Sequence, residues 1–124
     1  MNDEKAIKTT IQTYFDSMNE SNADKVHDAF HPHARITGYI DNELHAMTVA
    51  EFADFVASQQ PSPKENGETQ FGEIVSLDIA GETAIARVRD DYLGLRFLDS
   101  ISLLKSDGKW SIYNKLFHVE GHVD

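Results

Sequence analysis

Apolar residues recur every three or four positions between Asp3 and Met18, which places them along one side of an α-helix. The polar segment at residues 19–22 interrupts this pattern. Asn22 has the side chain of a helix N-cap, so the sequence predicts a short second helix that ends at Pro32.

A third helix is predicted by the pair Thr48 and Glu51, whose three-residue spacing is that of a capping box. Apolar residues then recur at helical spacing, and this helix should end before Pro61. Two prolines and a glycine make residues 59–68 a loop.

Strand-forming residues occupy the other segments of the chain. The β-branched and aromatic residues of 34–40 and the shorter run 44–47 flank Asp41-Asn42, which is turn chemistry suited to a hairpin. Four more β-rich runs follow, separated by short turns that contain glycine, at residues 70–79, 83–92, 95–105 and 110–119.

The order of elements is helix, helix, hairpin, helix and then a four-stranded meander, without the alternation of a βαβ protein. We therefore predict the α+β class, with three helices packed on one face of a curved antiparallel sheet, in a single domain formed by residues 1–124. The opposite, convex face of the sheet must be solvated or covered by a second subunit.

The net charge of the chain restricts the kinds of partner that it can bind. Twenty-one acidic residues against eleven basic ones give a net charge of −10, which repels phosphate backbones and anionic lipid surfaces. We therefore expect neither nucleic acid nor a membrane as a partner. The N-terminus lacks the apolar stretch of a signal peptide, so the expected location is cytoplasmic. The absence of cysteine excludes disulfides and a cysteine nucleophile.

Three segments carry a resemblance to a known family: residues 14–19, the FHPHA step at 30–34, and the ending from the DGKW turn at 107–110 to the NKLFH run at 114–118. They resemble the putative lumazine-binding family of the nuclear-transport-factor-2-like superfamily, which includes SnoaL-like and ketosteroid-isomerase-like proteins. The resemblance implies a cone-shaped α+β barrel that encloses a pocket and is usually dimeric. His33 stands where family members commonly have aspartate.

The ketosteroid-isomerase branch can be compared residue by residue. Tyr14 falls at the position of that branch's oxyanion-hole tyrosine, and Asp99 at the position of its protonated carboxylic acid. Gly38 stands where the branch carries its general base, and glycine cannot move a proton. The resemblance therefore does not extend to steroid isomerisation.

Three residues are candidates for catalysis: Asp99, Tyr14 and His118. Asp99 lies among apolar residues of a predicted strand, where a carboxylate must be paired, hydrogen-bonded or protonated. A structural salt bridge to an arginine is the alternative for Asp99. Tyr14 could offer its hydroxyl to a ligand or be a core tyrosine, and His118 could exchange a proton or lie at the rim of the pocket.

Five further residues could contact a ligand: Tyr39, Phe52, Phe55, Asn114 and His31. Aromatic faces would suit a flat ligand, whereas core packing is the alternative for the two phenylalanines. Alternation along the last strand turns Asn114 and His118 to the same side as Trp110, where the Asn114 amide could orient a ligand or bond across the sheet. His31 could instead cap the turn after the second helix.

The sequence predicts no metal site and no cofactor. His31 and His33 flank a proline, and no further ligand spacing completes a zinc site. The chain has no phosphate-binding glycine loop, dinucleotide fingerprint, nucleophile elbow or zinc-protease motif.

Two functions remain open at this point. The first is a pocket for a small, mostly apolar molecule, where acid–base groups could perform isomerisation, dehydration or hydrolysis. The second is a non-catalytic module whose convex sheet face forms a homodimer or binds another protein.

Overall fold

The computed structural model describes residues 2–123 as three helices packed on a six-stranded sheet. The helices are α1 (Asp3–Asn19), α2 (Ala23–Ala29) and α3 (Val49–Ser58). Asn2 and Asn22 cap α1 and α2 by accepting hydrogen bonds from backbone N–H groups, and Thr48 and Glu51 form the capping box of α3. No helix within residues 2–123 has the length and apolar character needed to span a bilayer.

The strands are β1 (Phe30–Ile40), β2 (Glu43–Thr48), β3 (Gly72–Ala80), β4 (Thr83–Tyr92), β5 (Leu95–Ser106) and β6 (Lys109–His122). Their order across the sheet is β2-β1-β6-β5-β4-β3. Neighbouring strands are antiparallel except β1 and β6, which run parallel. The predicted α+β class is confirmed, and the sequence did not reveal this one parallel pair.

The boundary between α2 and β1 lies earlier in the chain than predicted. α2 ends at Ala29 and β1 begins at Phe30, so Pro32 lies inside a strand instead of ending a helix. Pro32 falls between Phe30 and Arg35, where the register of β1 against β6 is irregular. A strand tolerates proline at such an irregularity because the ladder needs fewer N–H donors there.

Three hairpins turn on residue pairs with positive φ: Asp41-Asn42 (52° and 66°), Leu93-Gly94 (53° and 78°) and Asp107-Gly108 (52° and 79°). Positive φ at both central residues is typical of the type I′ turn, whose twist matches that of the flanking strands. These turns connect successive strands at the places that the sequence predicted.

The hydrophobic core lies between the helices and the inner face of the sheet. Each helix contributes the apolar side that its sequence pattern predicted, and the strands contribute alternate side chains. The fully buried apolar side chains include Ile7, Ile11, Tyr14, Val26, Ala34, Ile36, Val56, Val88 and Ile112. On the estimate of about 1.5–3 kcal/mol for burying one large aliphatic side chain, this layer is the main source of stability.

A β-bulge in β6 decides which of its side chains face this core. Ile112 pairs with Leu103 of β5 whereas Asn114 pairs with Ser102, so Tyr113 has no partner on β5. One extra residue in a strand reverses the alternation of all side chains that follow it.

The side chains of β6 show this reversal. Trp110 and Ile112 are buried before the bulge, and Lys115 and Phe117 are buried after it. The bulge therefore places a lysine on the inner face of the sheet, among apolar residues.

Gly38 of β1 allows the Phe117 side chain to lie against the inner face. Gly38 pairs with Phe117 in the parallel ladder. A Cβ atom on residue 38 would collide with both the ring and the backbone oxygen of Phe117. Glycine at this position is thus required by close packing between β1 and β6.

We expect Gly38→Ala to lower the free energy of unfolding by about 1–3 kcal/mol, because the backbone of Phe117 cannot move without disturbing the ladder. Gly121→Ala is the matched control, since an added Cβ there has no atom within 4 Å. Its shift should stay within about 0.5 kcal/mol. Urea denaturation measures both values, and equal stability of the two variants would contradict the packing role of Gly38.

Candidate active site

Three polar side chains meet inside the core: Tyr14 of α1, Asp90 of β4 and Asp99 of β5. The Tyr14 hydroxyl donates to Asp99 Oδ2 at 2.8 Å and lies 3.4 Å from Asp90 Oδ2. All three side chains are buried: the exposed fraction is 0% for Tyr14 and Asp99 and 2% for Asp90. We call this group the acid cluster.

Strand geometry brings the two carboxyl groups to the same face. Asp99 pairs with Val88 across the β4–β5 ladder, and Asp90 is two residues beyond Val88. Residues two apart on a strand share a face, so Val88, Asp90 and Asp99 all point toward the helices. Helix α1 crosses this face and places the Tyr14 hydroxyl between the two carboxyls.

The acid cluster cannot hold two negative charges. Burial, and secondly the Asp99 carboxylate, raise the pKa of Asp90 well above its ordinary value. Two buried carboxyl groups in hydrogen-bond contact share one proton, because the second ionisation would place like charges side by side in an apolar medium. Burial also raises the pKa of Tyr14, with the two carboxyls as further causes, so the phenol remains a proton donor.

One oxygen of the acid cluster has no partner. Asp99 Oδ1 is buried and accepts no hydrogen bond from any residue in the range 2–123. A buried acceptor left without a donor costs about 1–3 kcal/mol. A proton held by the neighbouring Asp90 carboxyl is a donor that would lower this cost.

A pocket of about 550 Å³ lies against the acid cluster, and Asp90 forms part of its wall. Other wall residues come from the end of α1, the loop before β3 and the β4–β5 hairpin, among them Phe15, Met18, Gln70, Phe71, Tyr92 and Arg96. Asp90 is thus the member of the acid cluster that a bound molecule can reach first.

The pocket wall combines aromatic and charged groups. Arg96 forms a bidentate pair with Asp91, at 2.7 and 2.9 Å, and its guanidinium lies 4.5 Å from the centre of the Phe71 ring. The Tyr92 hydroxyl is buried without a hydrogen-bond partner among the described residues, and burial raises the pKa of Tyr92. Apolar walls with a few fixed polar groups are typical of small-molecule sites.

A lysine lies beside the acid cluster. Lys115 of β6 is only 5% exposed. Its Nζ lies 4.7 Å from the centre of the Tyr14 ring, 4.8 Å from that of Phe52 and 5.7 Å from that of Phe117. We call these three rings the aromatic cage of Lys115.

The bulge at Tyr113 overturns one prediction about β6. Asn114 and His118 were expected to face inward, on the side of Trp110, but they lie on the convex face. His118 is exposed beside Tyr39 of the neighbouring strand. The extra residue shifted the alternation, and the pattern of residues along β6 does not reveal it.

The remaining candidates are dispersed. Tyr39 is 62% exposed on the convex face and Phe55 is 39% exposed on α3, so neither faces the enclosed interior. Phe52 is buried and belongs to the aromatic cage. His31 accepts the backbone N–H of His33 on Nδ1 at 3.0 Å, which is the capping role considered for it. Within residues 2–123, no three histidine or carboxylate side chains converge as metal ligands would.

Sequence reasoning missed two residues of this site, Asp90 and Lys115. Asp90 could have been found, since Val88, Asp90 and Tyr92 alternate with polar residues and so share a buried face. Lys115 could not, because its orientation depends on the bulge.

The fold is that of the nuclear-transport-factor-2-like class. Residues 2–118 match the family described as Putative lumazine-binding, and the chain belongs to that family. This confirms the resemblance found in the sequence.

Solved structures agree in fold. An NTF2-like protein of unknown function from Silicibacter pomeroyi DSS-3 superposes with a TM-score of 0.86 at 23% identity, covering 97% of this chain and 100% of that one. Another, from Methylobacillus flagellatus KT, has a TM-score of 0.83 at 30% identity, with 96% and 93% covered.

A relative of known name also matches over most of its length. It is "Aldolase FrzH" from Cladobotryum sp, which is 24% identical over 113 residues, or 91% of this chain and 88% of that protein.

The raised pKa of Asp90 predicts a pH-dependent stability. Above the ordinary carboxyl value of 3.8, the unfolded chain releases this proton while the folded protein still holds it. The free energy of unfolding therefore falls as the pH rises toward the raised pKa. Asp90→Asn removes this loss, so the variant should gain stability relative to the native protein by up to about 1.4 kcal/mol per pH unit.

Urea denaturation between about pH 4 and about pH 8 measures this difference. Asp54→Asn on the exposed side of α3 is the matched control and should show no such trend. A difference between Asp90→Asn and the native protein that stays constant with pH would contradict the shared proton.

Proposed function

We propose that this protein is an enzyme that performs acid–base chemistry on a small aldehyde or ketone, without a cofactor, in the pocket beside Asp90. The observation that carries the proposal is the acid cluster itself: two buried carboxyls share a proton next to a phenol, at the wall of a pocket. Groups whose pKa values are separated by their surroundings suit the roles of acid and base.

The roles of the three side chains follow from which of them reaches the pocket and which of them holds a proton. Asp90 reaches the pocket and, in its ionised form, is the base that removes a proton from the carbon next to a carbonyl. The Tyr14–Asp99 pair stabilises the negative charge that develops when this proton is removed. A phenol that donates a hydrogen bond at 2.8 Å is polarised together with its acceptor. The resulting enolate can be reprotonated or can attack a second carbonyl.

Asp90 also replaces the base that the isomerase branch carries on β1. Gly38 occupies that place here and the Phe117 ring lies over it. Proton removal is therefore assigned to β4 instead of β1, from the same enclosed face of the sheet. The name of the relative, an aldolase, favours carbonyl chemistry, since aldol reactions proceed through the same enolate.

The proposal is tested by hydrogen exchange at carbon. Purified protein is incubated in heavy water with cyclohexanone or acetaldehyde as probes, and loss of the α-proton signal is followed by NMR. We expect Asp90→Asn to lower the exchange rate by about 10²–10⁴-fold, which is the usual contribution of a general base. Tyr14→Phe should lower it as well, and the exposed Asp54→Asn should leave it unchanged. No acceleration by the native protein over buffer would refute the proposal.

A second candidate function is favoured by the convex face of the sheet. Ile85 is 62% exposed and Leu116 is 51% exposed, and both line a groove of about 550 Å³. Asp78 and Arg87 lie in the same groove. A two-fold contact brings the same patch of both copies together, so it can pair the acid of one copy with the base of the other. We therefore assign this face to a homodimer contact, which does not require catalysis.

Leu116→Arg should convert a dimer to a monomer, because it places two like charges within the proposed two-fold contact. Phe55→Arg makes the same change on the helical side of the molecule and should leave the association unchanged. Sedimentation equilibrium at micromolar concentration measures the molecular mass, and so the oligomeric state, of both variants. A native protein that sediments as a monomer under these conditions would rule out the dimer.

A further inference from the structure

Lys115 is buried without the partner that a buried lysine normally has. Lysine is almost never fully buried unless it is paired. Lys115 is 5% exposed, yet it forms no ion pair with any carboxylate in the described part of the chain. Its Nζ instead lies within 5 Å of the ring centres of Tyr14 and Phe52.

Tyr14 links this amine to the acid cluster. One side of its ring contacts Lys115 Nζ, and its hydroxyl donates to Asp99. The pairing of β5 with β6 also places Lys115 near Asp99. Lys115 pairs with Ile101, and Phe117, two residues further along β6, pairs with Asp99. The positive charge of Lys115 is also one of the influences felt by Asp90, where it favours the ionised carboxylate.

We propose that Lys115 is a nucleophile that condenses with the carbonyl group of an aldehyde or ketone to form an iminium ion. This inference rests on the proposed function and makes it more specific, because it assigns the carbonyl substrate a covalent attachment point. Lys115 is not part of the pocket wall. Asp90 belongs to both the pocket wall and the acid cluster, so the proposed route of the substrate from the pocket to Nζ leads past Asp90.

The step balances with the groups present. The Lys115 ammonium gives one proton to the ionised carboxyl of the acid cluster, and the neutral amine attacks the carbonyl carbon. The carbonyl oxygen then takes up this proton from the carboxyl group and a second proton released by the nitrogen, and leaves as water, while the nitrogen forms a double bond to carbon and carries the positive charge. The step starts with an ammonium cation and ends with an iminium cation, so the charge is unchanged and no oxidant, reductant or metal is consumed.

The aromatic cage can stabilise both the starting ammonium ion and the iminium product of this step. Ring faces attract a cation whether it is an ammonium or an iminium, and the apolar surroundings keep water away from the product. An iminium also withdraws electrons from the neighbouring carbon, which makes the proton that Asp90 removes more acidic.

Reductive trapping tests the covalent step directly. The folded protein is treated with acetone and sodium cyanoborohydride, and the modified lysines are located by peptide mass mapping over time. We expect the N-isopropyl adduct at Lys115 to form earlier than at Lys105, which is partly buried but paired with Asp3 at 3.1 Å. Adducts on exposed lysines with none at Lys115 would overturn the inference.

Lys115→Arg separates the covalent role from the charge. Arginine keeps the cation in the aromatic cage but cannot form the iminium with a ketone under these conditions, so the trapped adduct and the acceleration of α-proton exchange should both be lost. Lys105→Arg is the matched control and should keep both. A Lys115→Arg protein with full exchange activity would overturn the inference and leave the acid–base function standing. Trapping at Lys115 in a protein without exchange activity would support the amine and refute the acid–base function.

Discussion

The structure depends on how two carboxyl groups are kept inside an apolar core. An isolated buried carboxylate is too costly to maintain, so the pair must share a proton and receive donors. Tyr14 supplies one donor at 2.8 Å, and the charge of Lys115 lies nearby on the same face. With one proton on the pair, the negative charge of the carboxyls and the positive charge of the lysine cancel. A neutral cluster can be buried where each of its members alone could not.

That charge balance is set by one irregularity in the backbone. Without the bulge at Tyr113, the alternation of β6 would place Asn114 in the interior and Lys115 in solvent. The carboxyl pair would then face a neutral amide. Gly38 makes the matching adjustment on β1, because only a residue without a side chain leaves room for Phe117 once the bulge has turned it inward. The bulge and the glycine therefore belong to one arrangement.

Much of the fold follows from local signals in the sequence. The capping box at Thr48, the positive-φ turns such as Asp107-Gly108 and the helical spacing of α1 each depend on a few neighbouring residues, and each is found in the structure. The positions of Asp99 and Tyr14 in the interior follow from the same periodicities. The inward turn of Lys115 and the parallel pairing of β1 with β6 do not, because they depend on contacts between distant segments.

The same contacts explain why proton transfer is assigned to a different strand from the one used in the isomerase branch. Packing at Gly38 leaves no room for a carboxylate at this position of β1, since the Phe117 ring occupies the space above it. Any base must then come from another inward-facing strand position that reaches a pocket. Asp90 meets both conditions, and its raised pKa follows from the burial and carboxyl neighbour that this position entails. In the proposed mechanism the base on β4 lies next to Asp99 and Tyr14, so that the proposed acid, base and amine share the inner face of the sheet.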